Sequence, residues 1–268
     1  MLRLTKYEFK RLFHSKSFWI FLAIVVFFSA FQIVIMANST ALTNSVSLGM
    51  LEVDTTDGNL LNDESIQLLG IDGLISGAGD HLITLLPILL SIFIASDFSN
   101  KTLRNVVAKG YAKYQVYLAK FFCACFATTI FVIISSVIAS VLSSILWGFS
   151  NAIIDYGKTA SIFLAKLMSF YGLTSITVLV SMTVQNIGGS VAINIVITRF
   201  APYILTSVAT LLGEEINAFS KYEISTVINS LPDTSAEFSA VCFAFLVSIV
   251  YLAISNAVGT YVFQKRDL

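Results

Sequence analysis

Long runs without a charged residue alternate with short polar stretches along this chain of 268 residues. The first run, 17–37, holds 21 uncharged residues. A helix crosses the hydrocarbon core of a bilayer with ~20 mostly apolar residues. On that criterion the pattern predicts six spans: 17–37, 74–96, 121–147, 161–184, 187–212 and 238–263. The second span has 82–96 as its apolar heart and reaches back through Gly73, Gly77 and Gly79. The fourth carries Lys166 near its start, and the fifth is interrupted by Arg199 and Pro202. The expected fold class is an all-α membrane protein with one transmembrane domain over 1–268.

The segment before the first span, 1–16, reads as an amphipathic helix. Leu2, Phe9, Leu12 and Phe13 fall on one side at helical spacing, and Arg3, Lys6, Lys10 and Arg11 occupy much of the rest. Such a helix lies in the membrane interface, with its bases near lipid phosphates and its rings at the acyl boundary. The competing reading is a basic flank that only fixes topology. A cleavable signal is not expected, because an h-region runs ~7–15 residues and ends at a small-residue site.

Composition sharpens the picture. Hydrophobic residues make up 56% of the chain and charged ones 12%, against roughly 25% charged in a soluble domain. Mean hydropathy is +0.84. Net charge is zero, so the placement of charge carries the information. Between Lys16 and Lys101 there is no lysine or arginine. Arg3, Lys6, Lys10, Arg11 and Lys16 precede that gap; Lys101, Arg104, Lys109, Lys113 and Lys120 follow it. Basic residues beside apolar spans stay on the cytoplasmic side. Six spans put both ends on one side, and Lys265 and Arg266 after the last span agree. The expected outward segments are 38–80, which is acidic, 148–160 and 213–237. The inward ones are the basic 97–120 and a tight uncharged turn at 183–189.

Candidate chemistry is sparse. Cys123 and Cys125, two apart, do not share a helix face and, with Cys242, read as small packing residues. His14 and His81 fall on opposite sides of the predicted membrane and cannot share a metal. Gly157-Lys158-Thr159 resembles the end of a phosphate-binding loop, but Ala152 stands where its first glycine belongs. No metal site, catalytic group or cofactor is expected in this chain. Ser135, Ala139 and Ser143, spaced by four with Ser136, Ser140 and Ser144 alongside, would either let helices approach closely or form a polar stripe lining a path. Arg199 is a candidate by default, since a charge at mid-span costs about 2.5–3.5 kcal/mol on insertion scales. It either faces a water-filled cavity or a subunit interface and pairs with an acid or a substrate group, or the helix ends near Pro202. In the second case the chain returns as a re-entrant hairpin before the sixth span, and Arg199 snorkels outward.

The inward segment 97–120 interleaves apolar Leu103, Val106 and Val107 with Lys101, Arg104 and Lys109. Helical spacing gathers the apolar triplet on one side, giving a short amphipathic helix that could dock another protein. Here the chain resembles the membrane subunits of bacterial export-type ABC transporters. Their six-span permeases often carry an acid at the end of the second span, then a Thr-Leu-Arg-like segment, a turn, and an aromatic or aliphatic run ending in lysine. Asp97, Thr102-Leu103-Arg104, Gly110-Tyr111 and Tyr117-Leu118-Ala119-Lys120 look like those places. Phe263-Gln264-Lys265-Arg266-Asp267 resembles the closing pattern. Lys101 stands where the family commonly has glycine, and Ala112-Lys113 where serine-arginine is common.

The resemblance implies a permease in the bacterial plasma membrane with both termini cytoplasmic. A second permease, identical or not, would pair with it. Two copies of a cytoplasmic ATPase would bind beneath and carry the ATP and magnesium. Asp97, Lys101, Thr102, Leu103, Arg104, Val106, Val107, Gly110 and Tyr111 would form the coupling element. The small size and lack of large outward domains suit an amphipathic peptide or toxin, an antibiotic or a lipid as cargo. The alternative is a non-transporting membrane scaffold or sensor that recruits a cytoplasmic partner. No contact with nucleic acid is expected.

Overall fold

The computed structural model describes residues 2–49, 70–100, 102–148, 155–212, 219–231 and 237–265; for residues 2, 3, 36–49, 104 and 105 the description is of the helix alone. The described residues are all-helical. Six helical segments are long and apolar enough to cross a membrane, so the chain is a multi-pass membrane protein. In chain order the helices are α1 (Leu2–His14), α2 (Lys16–Gly49), α3 (Gly70–Ser76), α4 (Asp80–Ser99), α5 (Thr102–Ala108) and α6 (Lys113–Trp147). They continue with α7 (Tyr156–Val184), α8 (Ile187–Leu211), α9 (Ile224–Asn229) and α10 (Phe238–Lys265).

The sequence places the spans, but several of the helices extend beyond the ends of the apolar runs. α2 runs on past the apolar run to Gly49. Five of the seven acids of the outward stretch expected at 38–80 fall on 50–69, outside the described residues. α6 starts at Lys113 rather than at 121, so Lys120 belongs to a helix and not to the inward loop. The second span is two helices, α3 and α4, separated at Gly77-Ala78-Gly79. Asp155 caps α7, its Oδ1 accepting from the backbone N–H groups of Gly157 and Lys158 at 3.0 and 3.1 Å. The Gly-Lys-Thr triplet is therefore the first turn of a helix.

α4 and α7 are the most buried spans and α8 the least. The small residues of α6 receive α3. Ser135 Oγ donates to the Gly77 carbonyl at 2.5 Å and Ser140 Oγ to that of Gly70 at 2.7 Å. A Cβ on Gly77 would lie 2.5 Å from the Ala139 Cβ, so the glycine is what permits this approach. Elsewhere hydroxyl pairs cross the bundle: Thr128 with Thr174 at 2.7 Å and Ser169 with Ser248 at 2.9 Å. Asn194 Nδ2 donates to Ser91 Oγ at 2.8 Å. Lipid tails are as apolar as leucine, so such polar contacts and close approach contribute much of the specificity between spans.

Pro202 does not end α8, which continues to Leu211. A proline inside a helix leaves the carbonyl four residues earlier without its donor. That carbonyl is Thr198, and Ser225 Oγ on α9 donates to it at 3.1 Å, sharing its proton with Glu223 Oε1 at 2.7 Å. α9 packs against the bundle: Ile224, Val227 and Ile228 are buried, and Tyr251 Oη on α10 donates to the Tyr222 carbonyl at 3.2 Å. Freed backbone groups at membrane depth must find such partners.

A double-mutant cycle tests this substitution of donors. Ser225→Ala lowers stability by about 1 kcal/mol, the net worth of one hydrogen bond, read as thermal unfolding in detergent. In a Pro202→Ala background, where the backbone N–H returns to Thr198, the same change costs clearly less. Equal losses in both backgrounds exclude the compensation.

Candidate functional site

Charge is concentrated at the end of the bundle that carries α1. Four ionisable side chains meet there: Glu8 and Arg11 from α1, Asp97 from the last turn of α4, and Lys120 from α6. Lys120 Nζ donates to Glu8 Oε2 at 2.5 Å and also to Asp97 Oδ2. Arg11 forms an ion pair with Asp97 and lies 3.8 Å from Glu8. Lys120, Asp97 and Glu8 are almost wholly buried, whereas Arg11 is 24% exposed. Two cations and two anions sum to zero, which is what a dry site requires.

The placement answers two local penalties. A carboxylate in the last turn of a helix faces the negative end of the helix dipole, and Asp97 offsets this with two cations and the Thr102 hydroxyl. Lys120 would be costly inside a helix bundle without its two carboxylates. The Phe93 ring lies 5.1 Å from Lys120 Nζ and 5.3 Å from the Arg11 guanidinium carbon, adding cation–π attraction. Burial works against the Arg11 charge, but Asp97, with Glu8, outweighs it and raises the guanidinium pKa.

The coupling candidates sit around this cluster. Thr102 Oγ1 donates to both the carbonyl and the Oδ1 of Asp97, each at 3.1 Å. α5 is thus tied to the end of α4. Leu103 is buried, and Val106, Val107 and Tyr111 pack against the core. Lys109 and Gly110 are exposed, and Gly110 has φ +89°, a turn conformation that favours glycine. Lys101 and the Arg104 side chain lie outside the described residues.

The residues expected on the interfacial helix divide differently from the sequence reading. Lys6 and Lys10 are exposed. Phe9 packs edge-on to Phe126 at 4.7 Å, and Phe13 contacts Phe18 at 5.4 Å. Arg11 turns toward Asp97, not away from the bundle. The face of α1 that meets the other helices is Leu4, Glu8 and Leu12. The Arg3 side chain lies outside the described residues. Glu8 had no signal in the sequence beyond its i, i+4 spacing from Leu4 and Leu12.

A second polar group lies farther along the spans. Arg199 Nη1 donates to both carboxylate oxygens of Asp80 at 2.8 Å, and Nη2 to the Asp80 carbonyl at 3.1 Å and to Thr84 Oγ1. Asp80 opens α4, where the positive end of the helix dipole favours a carboxylate. His81 is occupied nearby, its Nε2 within 3.1 and 3.0 Å of the Ser29 and Ser135 hydroxyls and its Nδ1 3.1 Å from Gln32 Oε1. Pro202, one turn along α8 from Arg199, stays within the helix. The two charged groups are separate: Arg199 does not reach the Asp97 cluster. Among the described residues no group of three or more His, Cys, Asp or Glu could hold a metal. No family model matches the chain, and no significant match to a curated protein was found.

Removing one cation from the cluster should be severe. Lys120→Met leaves Glu8 and Asp97 with Arg11 alone and is expected to cost about 3–5 kcal/mol, read as a lowered thermal midpoint in detergent. Lys120→Met combined with Asp97→Asn restores neutrality around Glu8 and Arg11 and should recover at least half of that loss. Additive losses would show that the four groups do not act together.

Proposed function

We propose that this chain is the permease subunit of an ATP-driven exporter in the bacterial plasma membrane, with both termini cytoplasmic. Two permeases pair to form the translocation path, and two copies of a cytoplasmic ATPase bind beneath them. The cargo is amphipathic: a peptide or toxin, an antibiotic or a lipid. α1 lies in the inner interface with Lys6 and Lys10 toward lipid phosphates, and α9 forms a re-entrant hairpin between the fifth and sixth spans. Arg199 and Pro202 belong to the path or to the interface between permeases, at a face that lipid also reaches.

The observation that carries this reading is the attachment of α5. Its apolar side rests on the bundle through Leu103, Val106 and Val107, and Thr102 anchors it to Asp97. Asp97 in turn is joined to Arg11 and Lys120. A force on α5 therefore reaches α1, α4 and α6 through short, buried contacts. A coupling element needs that rigidity, because a ligand shifts a two-state equilibrium only through contacts that differ between the states. Lys109 is exposed, and the basic charge of the segment supplies the groove-binding surface.

The test is copurification. The tagged wild-type chain, gently solubilised, brings down a nucleotide hydrolase. Arg104→Glu with Lys109→Glu reduces the recovered hydrolase at least tenfold while leaving the thermal midpoint of the permease within a few degrees. Failure of the wild-type chain to retain any hydrolase overturns the reading.

A further inference from the structure

A groove of about 570 Å³ opens between α2, α4 and α8, within the ~300–1,000 Å³ range of small-molecule sites. Its walls include Phe28, Phe31, Ile35 and Leu85, and its polar end is the Asp80–Arg199 pair. Phe28, Phe31 and Ile35 are exposed on α2, and α8 is the least buried span. The groove therefore opens on the lateral surface of the bundle, where lipid would stand. Unlike the Asp97 cluster, this pair is reachable: the Arg199 side chain is 35% exposed and that of Asp80 60%.

We propose that the groove binds a zwitterionic phospholipid, with its ammonium on Asp80, its phosphate on Arg199 and an acyl chain along the phenylalanines. Charge balance selects the headgroup. The site holds one anion and one cation in apolar surroundings, where an uncompensated charge is costly. An anionic lipid on Arg199 would leave Asp80 without its partner, and a cationic one on Asp80 would face Arg199. A headgroup with both charges gives each side chain an opposite partner and keeps the site neutral. Guanidinium suits phosphate because its donors form a planar fork. Nη1 on both Asp80 oxygens and Nη2 on the Asp80 carbonyl and Thr84 Oγ1 hold the guanidinium at the polar end of the groove. This inference needs only the membrane-spanning fold, not the coupling to an ATPase.

Native mass spectrometry of the full chain in maltoside detergent tests it with three short-chain probes: dioctanoyl phosphatidylethanolamine, dioctanoyl phosphatidylglycerol and a dioctanoyl trimethylammonium lipid. The wild type should bind phosphatidylethanolamine at least tenfold more tightly than either of the others. Asp80→Asn should shift the preference to phosphatidylglycerol, and Arg199→Gln to the cationic lipid. Should either variant fail to purify as a monodisperse species, Leu85→Trp narrows the groove while keeping both charged residues in the chain and should weaken phosphatidylethanolamine binding at least tenfold. Equal affinity for the three lipids, preferences unchanged by the charge variants, or undiminished binding to Leu85→Trp each overturns the proposal. No hydrolase takes part, so a negative result here leaves the export reading standing, and loss of the hydrolase leaves this site standing.

Discussion

Lys120 sits inside a helix, has no exposed side-chain surface, and touches two carboxylates from two other helices. The described architecture at that end of the bundle depends on this arrangement. A buried ion pair is weak evidence for stability in itself, because desolvation can exceed the Coulombic gain. What it does impose is geometry. Four charges that cannot be left unpaired restrict how α1, α4 and α6 can be placed relative to one another. α5 inherits that placement through Thr102, with Leu103, Val106 and Val107 packed on the bundle beside it. The short helix proposed as the coupling element is thus mounted beside buried charge pairs.

Away from that end, the spans are held by another kind of contact. Small residues bring α3 against α6, and serine, threonine and asparagine side chains link α4, α6, α7, α8 and α10. Each such contact is modest in energy, since a polar group unfolded within a membrane also finds partners. The pairing of Thr198 with Ser225 belongs to this class. The proline that looked like a helix breaker is accommodated because another helix supplies the donor it removed.

The two charged groups show how one physical rule gives different outcomes at different exposures. At the α1 end, burial closes the cluster and makes it structural. In the groove, a paired arginine and aspartate remain open to whatever stands beside the protein. A neutral pair in an apolar wall is stable enough to persist in a span, yet still presents both charges to a ligand of matching pattern. The bases expected to act as a single topology signal therefore separate into roles: Arg11 and Lys120 are spent inside the protein, while Lys6, Lys10 and Lys109 are exposed.

Periodicity and apolar run length were enough to place six spans, because the hydrocarbon core imposes a length that few soluble sequences meet. The stripe of small residues on α6 could be read for the same reason: spacing by four marks a helix face directly. Helix ends were less legible. α2 continues past Ala37 and α6 begins before Phe121 because helical hydrogen bonding does not stop where hydropathy does. The break between α3 and α4 appears in the sequence as two glycines, Gly77 and Gly79, but only packing against α6 shows what Gly77 allows. The partners of Asp97 and Arg199 were beyond reach. Glu8 and Lys120 lie 112 residues apart and Arg199 and Asp80 119; such pairings carry no periodic signal. The chain's own pattern fixed which segments enter the membrane, and the packing of those segments decided which charges could survive there, because a buried charge persists only where the fold brings it a partner.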